Sequence, residues 1–181
     1  MIYGLGGDAL QKAEIAFDVL KIDTIVIGDD VLEETLASVM EKDGGFSERH
    51  TEFDLPYMVA QDMTAEEFAK CFYILERFGL KYDGLKILRT NFNENWTIRH
   101  LFQATRASYD VLKDAVILKE LIGNCESLYG SAGDAASKAE MKKRTENAKK
   151  LLASGKYTNE SVKQAIAELT ESLHSYRKLY N

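Results

Sequence analysis

The sequence predicts a small three-layer α/β domain followed by an all-helical extension. Up to about residue 106, a strand-like apolar pattern is followed four times by a helix-like one. Such alternation is typical of a sheet with helices packed on it. Beyond residue 109 every apolar pattern has a helical period. The chain has 181 residues, of which 45% are hydrophobic and 29% charged, a composition typical of a globular protein.

The first two strand–helix pairs lie within residues 1–40. Residues 1–5 are short and apolar and predict a strand, and residues 8–20 predict a helix because their apolar side chains recur at helical spacing. The continuous β-branched run at residues 24–27 predicts a second strand that is covered on both faces. Residues 31–40 have apolar side chains along one side and predict a second helix.

The next two pairs follow a polar loop at residues 43–54. Residues 55–61 predict a third strand. Thr64 and Glu67 have the spacing of a capping box, which predicts the start of the helix that follows. Residues 85–89 predict a fourth strand, and its two basic side chains favour an edge position in the sheet.

These four pairs form a faint internal repeat. Residues 1–40 and 57–106 both read strand, helix, strand, helix, and in both a polar loop follows each strand. Our first choice is therefore a sheet of four strands with helices on both faces. The alternative is a ferredoxin-like fold built from two split βαβ units, which the same repeat could also encode.

The rest of the chain reads as helix. A long helix is expected from about residue 96 to residue 128, with or without a break at 107–108, and the wide apolar face of its second half implies contacts on two sides. Residues 134–153 predict a further helix. The last helix follows a turn at 155–161, and its narrow apolar seam suits a hairpin or a three-helix bundle.

The charge of the chain changes sign near residue 130. Residues 1–130 carry 13 basic and 23 acidic side chains, a net charge of −10, whereas residues 131–181 carry 10 basic and 6 acidic ones, a net charge of +4. The change falls in a stretch of small residues with two glycines. We therefore predict an α/β domain at 1–128, which includes the long helix, and a helical hairpin extension at 129–181.

Composition also indicates in which cellular compartment the protein is found. No apolar run approaches the roughly 18 residues that a membrane span needs, and the first ten residues lack the pattern of a secretory signal. Cys71 and Cys125 lie in helical patterns and are expected to be buried free thiols. The three histidines are isolated, and no metal site is predicted. We expect a cytoplasmic protein with no membrane partner.

The basic residues of the extension raise the question of its partners. Two basic clusters at 142–144 and 149–150 have no aromatic side chain between them that could stack on a base. A solvated helix surface explains them better than nucleic-acid binding does. The apolar seam favours self-association or a protein partner through the helical extension.

A polar corner between the fourth strand and the long helix is the main candidate for a ligand site. The segment TNFNENW at residues 90–96 crowds three asparagines before the only tryptophan. Asparagine suits tight strand-to-helix corners, and α/β proteins hold ligands at such corners. The ligand-binding candidates here are Thr90, Asn91, Asn93 and Trp96.

The same corner also has a purely structural interpretation. Asn95 would cap the helix, and Asn91 and Asn93 would shape the turn. Trp96 would then be largely buried between the sheet and the long helix.

If the sheet is parallel, the loops that follow the other strands lie at the same end of the sheet. The candidates that follow the other strands are Gly6, Gly7, Asp29, Asp30 and Gln61. Residues 4–9 also match the G-x-G-x-x-A dinucleotide fingerprint, with Asp29 about twenty residues further on, where a ribose-binding acid belongs. The structural alternatives are a turn capped by Asp8 and a second helix capped by Asp29 or Asp30. The acidic cluster at 29–34 fits such capping better than Mg²⁺ ligation.

Part of the chain resembles a known family. The segment LKILRTNFNENWTIRHLF follows LPYMVAQDMTAEEFAKCFYILERFGL, and its matching residues are Thr90, Asn93, Trp96, Thr97, Ile98 and Leu101. They lie on the pattern Thr-x-x-Asn-x-x-Trp-Thr-Leu-x-x-Leu of the small bacterial domain-of-unknown-function family numbered 3783, with Ile98 in place of the usual leucine. The resemblance is good over residues 55–106 and looser over 1–40. It implies a cytoplasmic bacterial α/β protein without an established activity.

Taken together, the sequence favours a non-catalytic binding or protein-interaction module. It shows no nucleophile–base pair, no metal motif and no complete cofactor motif. The alternative is an enzyme acting on a small molecule, a nucleotide or a metabolite, through the polar loops at the sheet edge. The sequence assigns neither a catalytic residue nor a cofactor.

Overall fold

The structure, a computed structural model, describes every residue except 43, 45, 48, 131–133 and 179–181. The chain forms two compact units, Met1–Arg106 and Ala107–Asn181. The boundary predicted at residues 128 and 129 therefore lies inside the second unit. The physical reason is that the second half of the long helix shares a hydrophobic core with the two C-terminal helices.

The first unit contains a four-stranded mixed sheet. The strands β1 (Ile2–Tyr3) and β2 (Val26–Ile27) are parallel neighbours, and so are β3 (Tyr57–Ala60) and β4 (Leu85–Leu88). The strands β1 and β3 are paired antiparallel in the middle, so the order is β2-β1-β3-β4. All four predicted strands are present, and β4 lies at an edge as predicted.

Helices cover both faces of this sheet. The helices α1 (Gly7–Val19) and α3 (Ala65–Arg77) pack on one face, while α2 (Leu36–Met40) and the start of α4 (Ile98–Ser127) pack on the other. The predicted three-layer α/β fold is confirmed. The ferredoxin-like alternative is wrong, because the two strands of each βαβ unit are adjacent and neither unit is split.

Side-chain caps explain where α3 and α2 begin. The predicted capping box is present, since Thr64 Oγ1 accepts from Glu67 N at 3.2 Å and Glu67 Oε2 accepts from Thr64 N at 2.8 Å. The helix predicted at 31–40 is shorter, because a 3₁₀ turn at Asp29–Val31 comes first and Thr35 then caps α2. The helix α4 has no break at 107–108.

The internal repeat appears in the structure as a reciprocal contact between its halves. Thr35 and Thr97 form an isolated antiparallel bridge. Two equivalent hydrogen bonds of 2.9 Å flank it: Leu36 N to Trp96 O and Ile98 N to Glu34 O. Each threonine hydroxyl also accepts from the backbone N–H three residues further on, so each caps the helix that it precedes. The two halves therefore fix each other at the point where α2 and α4 begin.

The second unit is a helical assembly with its own core. It consists of the second half of α4 together with α5 (Ala135–Ala153) and α6 (Asn159–Lys178). The predicted seam of α6 is buried at Val162, Leu169 and Leu173, and Ile166 is partly buried. These side chains pack with residues of α4 and α5 that include Leu118, Ile122 and Met141.

Only part of the wide apolar face of α4 is buried in this core. Four large apolar side chains of α4 are exposed: Tyr109, Leu112, Val116 and Ile117.

The basic clusters of the extension are partly neutralised, since Arg144 pairs with Glu171 at 2.7 Å and Lys149 pairs with Glu126. None of the described helices has the length and apolar composition to cross a membrane.

Candidate functional site

The mixed sheet divides the predicted site residues between its two ends. Because β1 runs antiparallel to β3, the loops after β1 and β2 lie at the end opposite to the loops after β3 and β4. One end holds Gly6, Gly7, Asp29 and Asp30. The other end holds Gln61, Thr90, Asn91, Asn93 and Trp96. The expectation that all of them meet, which depended on a parallel sheet, is therefore wrong.

At the first end, Asp29 anchors the loop at residues 49–52. Its Oδ2 accepts from both the backbone N and the Oγ1 of Thr51 at 2.8 Å, and its Oδ1 accepts from the Tyr3 hydroxyl at 2.6 Å. Asp30 accepts from Ser47 N at 3.1 Å. Neither aspartate caps a helix with its side chain, because both lie within the 3₁₀ turn that begins after Gly28. The prediction that Asp29 or Asp30 caps a helix is therefore wrong. Their side chains instead form hydrogen bonds to Thr51 and Ser47.

This loop lies directly against the glycines of the first βαβ unit. A Cβ atom on Gly28 would lie 2.3 Å from Ser47 O and 2.5 Å from Arg49 O, so only glycine fits beneath the loop. A Cβ on Gly6 would lie 3.6 Å from the His50 ring. The loop thus covers the turn where a dinucleotide would place its pyrophosphate, and both oxygens of Asp29 already accept hydrogen bonds. This arrangement argues against the dinucleotide interpretation.

The hydrogen bonds to Asp29 alter its acidity. Burial alone raises the pKa of Asp29, but hydrogen bonds from Tyr3, Thr51 and Glu52 to its carboxylate outweigh burial and lower that pKa from 3.8 to about 2. Burial and the neighbouring carboxylate of Asp29 both raise the pKa of Tyr3, so its hydroxyl keeps its proton and remains a donor.

At the other end, Asn93 holds the asparagine corner closed. Its side chain is only 9% exposed. Its Oδ1 accepts from Thr90 N at 2.8 Å and its Nδ2 donates to Leu88 O at 2.9 Å. Asn91 is exposed. The residue that caps the start of α4 is Thr97, whose hydroxyl accepts from His100 N, rather than Asn95. The structural interpretation of the corner thus holds for Asn93 and fails for Asn95.

Trp96 lies at the margin of the core. It is partly buried rather than largely buried: the indole packs against the core and also contacts two further rings. The ring centroids of Phe92 and His100 are 5.1 Å and 4.5 Å from that of Trp96. Phe92 is 77% exposed. The corner therefore presents an aromatic surface to solvent instead of a polar pocket.

A crevice of about 420 Å³ lies at the end of the sheet where β1 and β2 begin and β3 ends. Its walls come from both hydrophobic cores of the first unit, since it wraps around the end of the sheet. Apolar side chains form most of the wall: Met1, Ile2, Phe17, Ile22, Ile25, Met40, Met58, Val59, Ala60, Met63, Phe68 and Cys71. Polar residues complete it: Asp23, Thr24, Glu41, Lys42 and Gln61.

Gln61 is the single predicted site residue that lines this crevice. Its Oε1 accepts from Arg89 Nη1 at 2.9 Å, and Arg89 is also paired with Glu94 at 3.3 Å. The crevice therefore adjoins the asparagine corner through Arg89. The other eight candidates do not contribute to its wall.

The methionines of the crevice were not predicted from the sequence. Four of the five methionines of the chain line it, and the fifth, Met141, is buried in the second unit. Methionine is unbranched and polarizable, so it adapts to irregular apolar ligands and makes favourable contacts with aromatic rings. One pattern in the sequence points to them: these four methionines all lie within the first 63 positions of the chain.

The thiols are not suited to nucleophilic chemistry. Cys71 lines the crevice, where its Sγ donates to Glu67 O at 3.4 Å and burial raises the pKa of the thiol. Cys125 is buried in the second unit, and burial likewise raises its pKa. The prediction of two buried free thiols is confirmed. Within the part of the chain that the structure describes, no three His, Cys, Asp or Glu residues are grouped to hold a metal ion.

Comparison with known proteins found no family model, no curated protein and no solved structure that matches the chain. The resemblance to the family numbered 3783 therefore stays a prediction.

We predict that Asn93 and Asn91 differ sharply in their effect on stability. Replacing Asn93 with Ala removes two hydrogen bonds and leaves Thr90 N and Leu88 O without these partners, so Asn93→Ala should lower the free energy of unfolding by about 1–3 kcal/mol. The matched control Asn91→Ala should stay within about 0.5 kcal/mol of wild type. Urea unfolding of both variants measures the difference. Equal effects would mean that Asn93 does not hold the corner.

We predict that Asp29 makes the fold sensitive to acid. A carboxylate whose pKa is lowered by folding stabilises the native state above its unfolded pKa, and this contribution is lost as the pH falls through the folded pKa. The free energy of unfolding of wild type should therefore fall more steeply between pH 4 and about pH 2 than that of Asp29→Asn. Denaturant unfolding across this range gives both curves. If the two curves stay parallel, the stability that the hydrogen bonds of Asp29 contribute does not depend on its charge.

Proposed function

We propose that the chain is a non-catalytic binding module whose α/β unit takes a small, largely apolar molecule in the methionine-lined crevice. The crevice itself carries the proposal. Ligand pockets typically enclose about 300–1,000 Å³, are mostly apolar and have a few polar groups that orient the ligand. The crevice, at about 420 Å³, lies within that range and has that composition.

The position of the crevice supports the same conclusion. Ligands of α/β proteins commonly bind in a crevice outside the carboxyl ends of strands, at the point where the strand order reverses. The crevice lies at the carboxyl end of β3, beside the antiparallel neighbour β1. Gln61 is held by Arg89 through its Oε1, which leaves its Nε2 hydrogens to orient a ligand.

The hydrogen bonds of the polar corners favour binding over catalysis. Asp29 and Asn93, the most promising polar side chains in the sequence, close loops of the fold. A general base must reach a substrate proton, and both side chains are already engaged by the chain's own atoms. Among the described residues, no arrangement favours the alternative of a small-molecule enzyme.

We predict that 2-phenylethanol, a neutral probe with an aromatic body, binds the crevice of wild type. Ala60 lies in the wall at the end of β3. Ala60→Leu places extra carbon atoms in the crevice and should weaken binding at least about tenfold, because the probe and the new side chain compete for the same space. Isothermal titration calorimetry measures the affinity, and the ligand-induced rise in unfolding temperature checks it.

The matched control is Ala65→Leu, which makes the same change at an exposed position on the first turn of α3 that is not part of the crevice wall. This variant should bind 2-phenylethanol as wild type does. Absence of binding to wild type, or equal binding by all three proteins, would contradict the proposed site.

A second role, self-association or binding of a protein partner, is supported by the helical unit. The exposed apolar residues of α4 include Leu112 at 60% and Val116 at 59% exposure. They lie one turn apart, so they share one side of the helix. Exposed apolar patches of this kind mark interaction surfaces in soluble proteins.

For self-association, we predict that the average mass of wild type in analytical ultracentrifugation rises with protein concentration. Val116→Glu should abolish that rise, because burying a charge in an apolar contact is unfavourable. The control Val19→Glu changes an equally exposed valine on α1 and should leave the rise intact. A wild type that stays monomeric at every concentration would exclude self-association through α4.

A further inference from the structure

We infer that the ligand of the crevice is an apolar molecule that carries a positively charged amine. This inference rests on the proposed function and adds the charge of the ligand to it. The balance of charges at the rim of the crevice favours a cationic group on the ligand, and the apolar interior favours an apolar body.

Two carboxylates contribute to the rim, Asp23 before β2 and Glu41 after α2. Both side chains are exposed. Neither has an ion-pair partner within the described part of the chain. Two acidic groups that approach the same crevice create a negative potential at its mouth.

Among the described residues of the rim, the one cationic side chain does not offset them. Lys42 Nζ lies 2.6 Å and 2.5 Å from the two carboxylate oxygens of Glu34, so its charge is already compensated. Burial lowers the pKa of the amino group of Met1 to about 6, so this group is largely neutral above pH 7. In the described part of the rim, an anionic ligand would therefore meet two carboxylates and no uncompensated cation.

The interior defines the other part of the ligand. The rings of Phe17 and Phe68 and four methionine side chains line the crevice. Thioether groups make favourable contacts with aromatic rings. A molecule with a phenyl group and an amine about two carbons away could place its ring among these side chains and its charge at the rim.

Three probes of the same shape test the inference: 2-phenylethylamine as the cation, 2-phenylethanol as the neutral probe and 3-phenylpropanoate as the anion. Titrations are made on the full chain at pH 8, where a primary amine is still protonated. The amine should bind about fivefold more tightly than the alcohol, as expected for partly solvated ion pairs. The carboxylate should bind most weakly.

The double variant Asp23→Asn/Glu41→Gln should abolish the preference for the amine while the alcohol binds as before. The control Asp18→Asn/Glu76→Gln removes two exposed carboxylates that do not line the crevice and changes the net charge equally. It should keep the preference. If the preference survives in the rim variant, the rim carboxylates do not cause it and the inference is wrong. If the preference disappears in the control as well, the overall charge of the protein attracts the amine and the inference is again wrong.

The outcomes also separate this inference from the proposed function. If the alcohol binds wild type as tightly as the amine does, and Ala60→Leu weakens both, the crevice is a binding site and only the charge inference fails. If none of the three probes binds wild type, the proposed function itself fails and the inference fails with it.

Discussion

The antiparallel pairing of β1 with β3 determines where every other feature of the first unit lies. Ile2 pairs with Met58 and Tyr3 pairs with Tyr57, so the two βαβ units run in opposite directions. This pairing sends the two sets of strand-end loops to opposite ends of the sheet. It also places the start of β1 and β2 beside the end of β3, where the crevice lies and side chains of both cores meet. The Thr35–Thr97 bridge fixes the same relation a second time, on one face of the sheet.

The polar corners at the two ends of the sheet solve the same physical problem. A loop that leaves a strand must satisfy its backbone groups before the next helix begins. At one end Asp29 accepts from Thr51 and Tyr3, and at the other Asn93 bonds to Thr90 and Leu88. Residues that attract attention in the sequence are therefore engaged within the fold. The crevice, whose side chains are individually unremarkable, remains open to a ligand.

Local patterns in the sequence predict the elements well. The capping box at Thr64, the edge strand at 85–89 and the seam of α6 all depend on neighbouring residues, and all three are present. The relative direction of β1 and β3 leaves no such local signal, because either direction gives the same alternation of strand and helix. The crevice is harder still to predict, since its methionines come from separate segments that only the fold brings together. Asn91 and Asn93 are the same residue type in one corner, and their roles are distinguished by the burial and the two hydrogen bonds that the fold gives to Asn93.

The most direct test of the account is nuclear magnetic resonance of the protein with ¹³C-labelled methionine methyl groups, titrated with 2-phenylethylamine. Four of the five methionines line the crevice and Met141 lies in the core of the second unit, so the chain contains its own control. We expect the signals of Met1, Met40, Met58 and Met63 to shift together with one affinity while that of Met141 stays in place. Four unchanged signals, with a shift of the Trp96 indole N–H instead, would place the ligand at the asparagine corner and contradict the account.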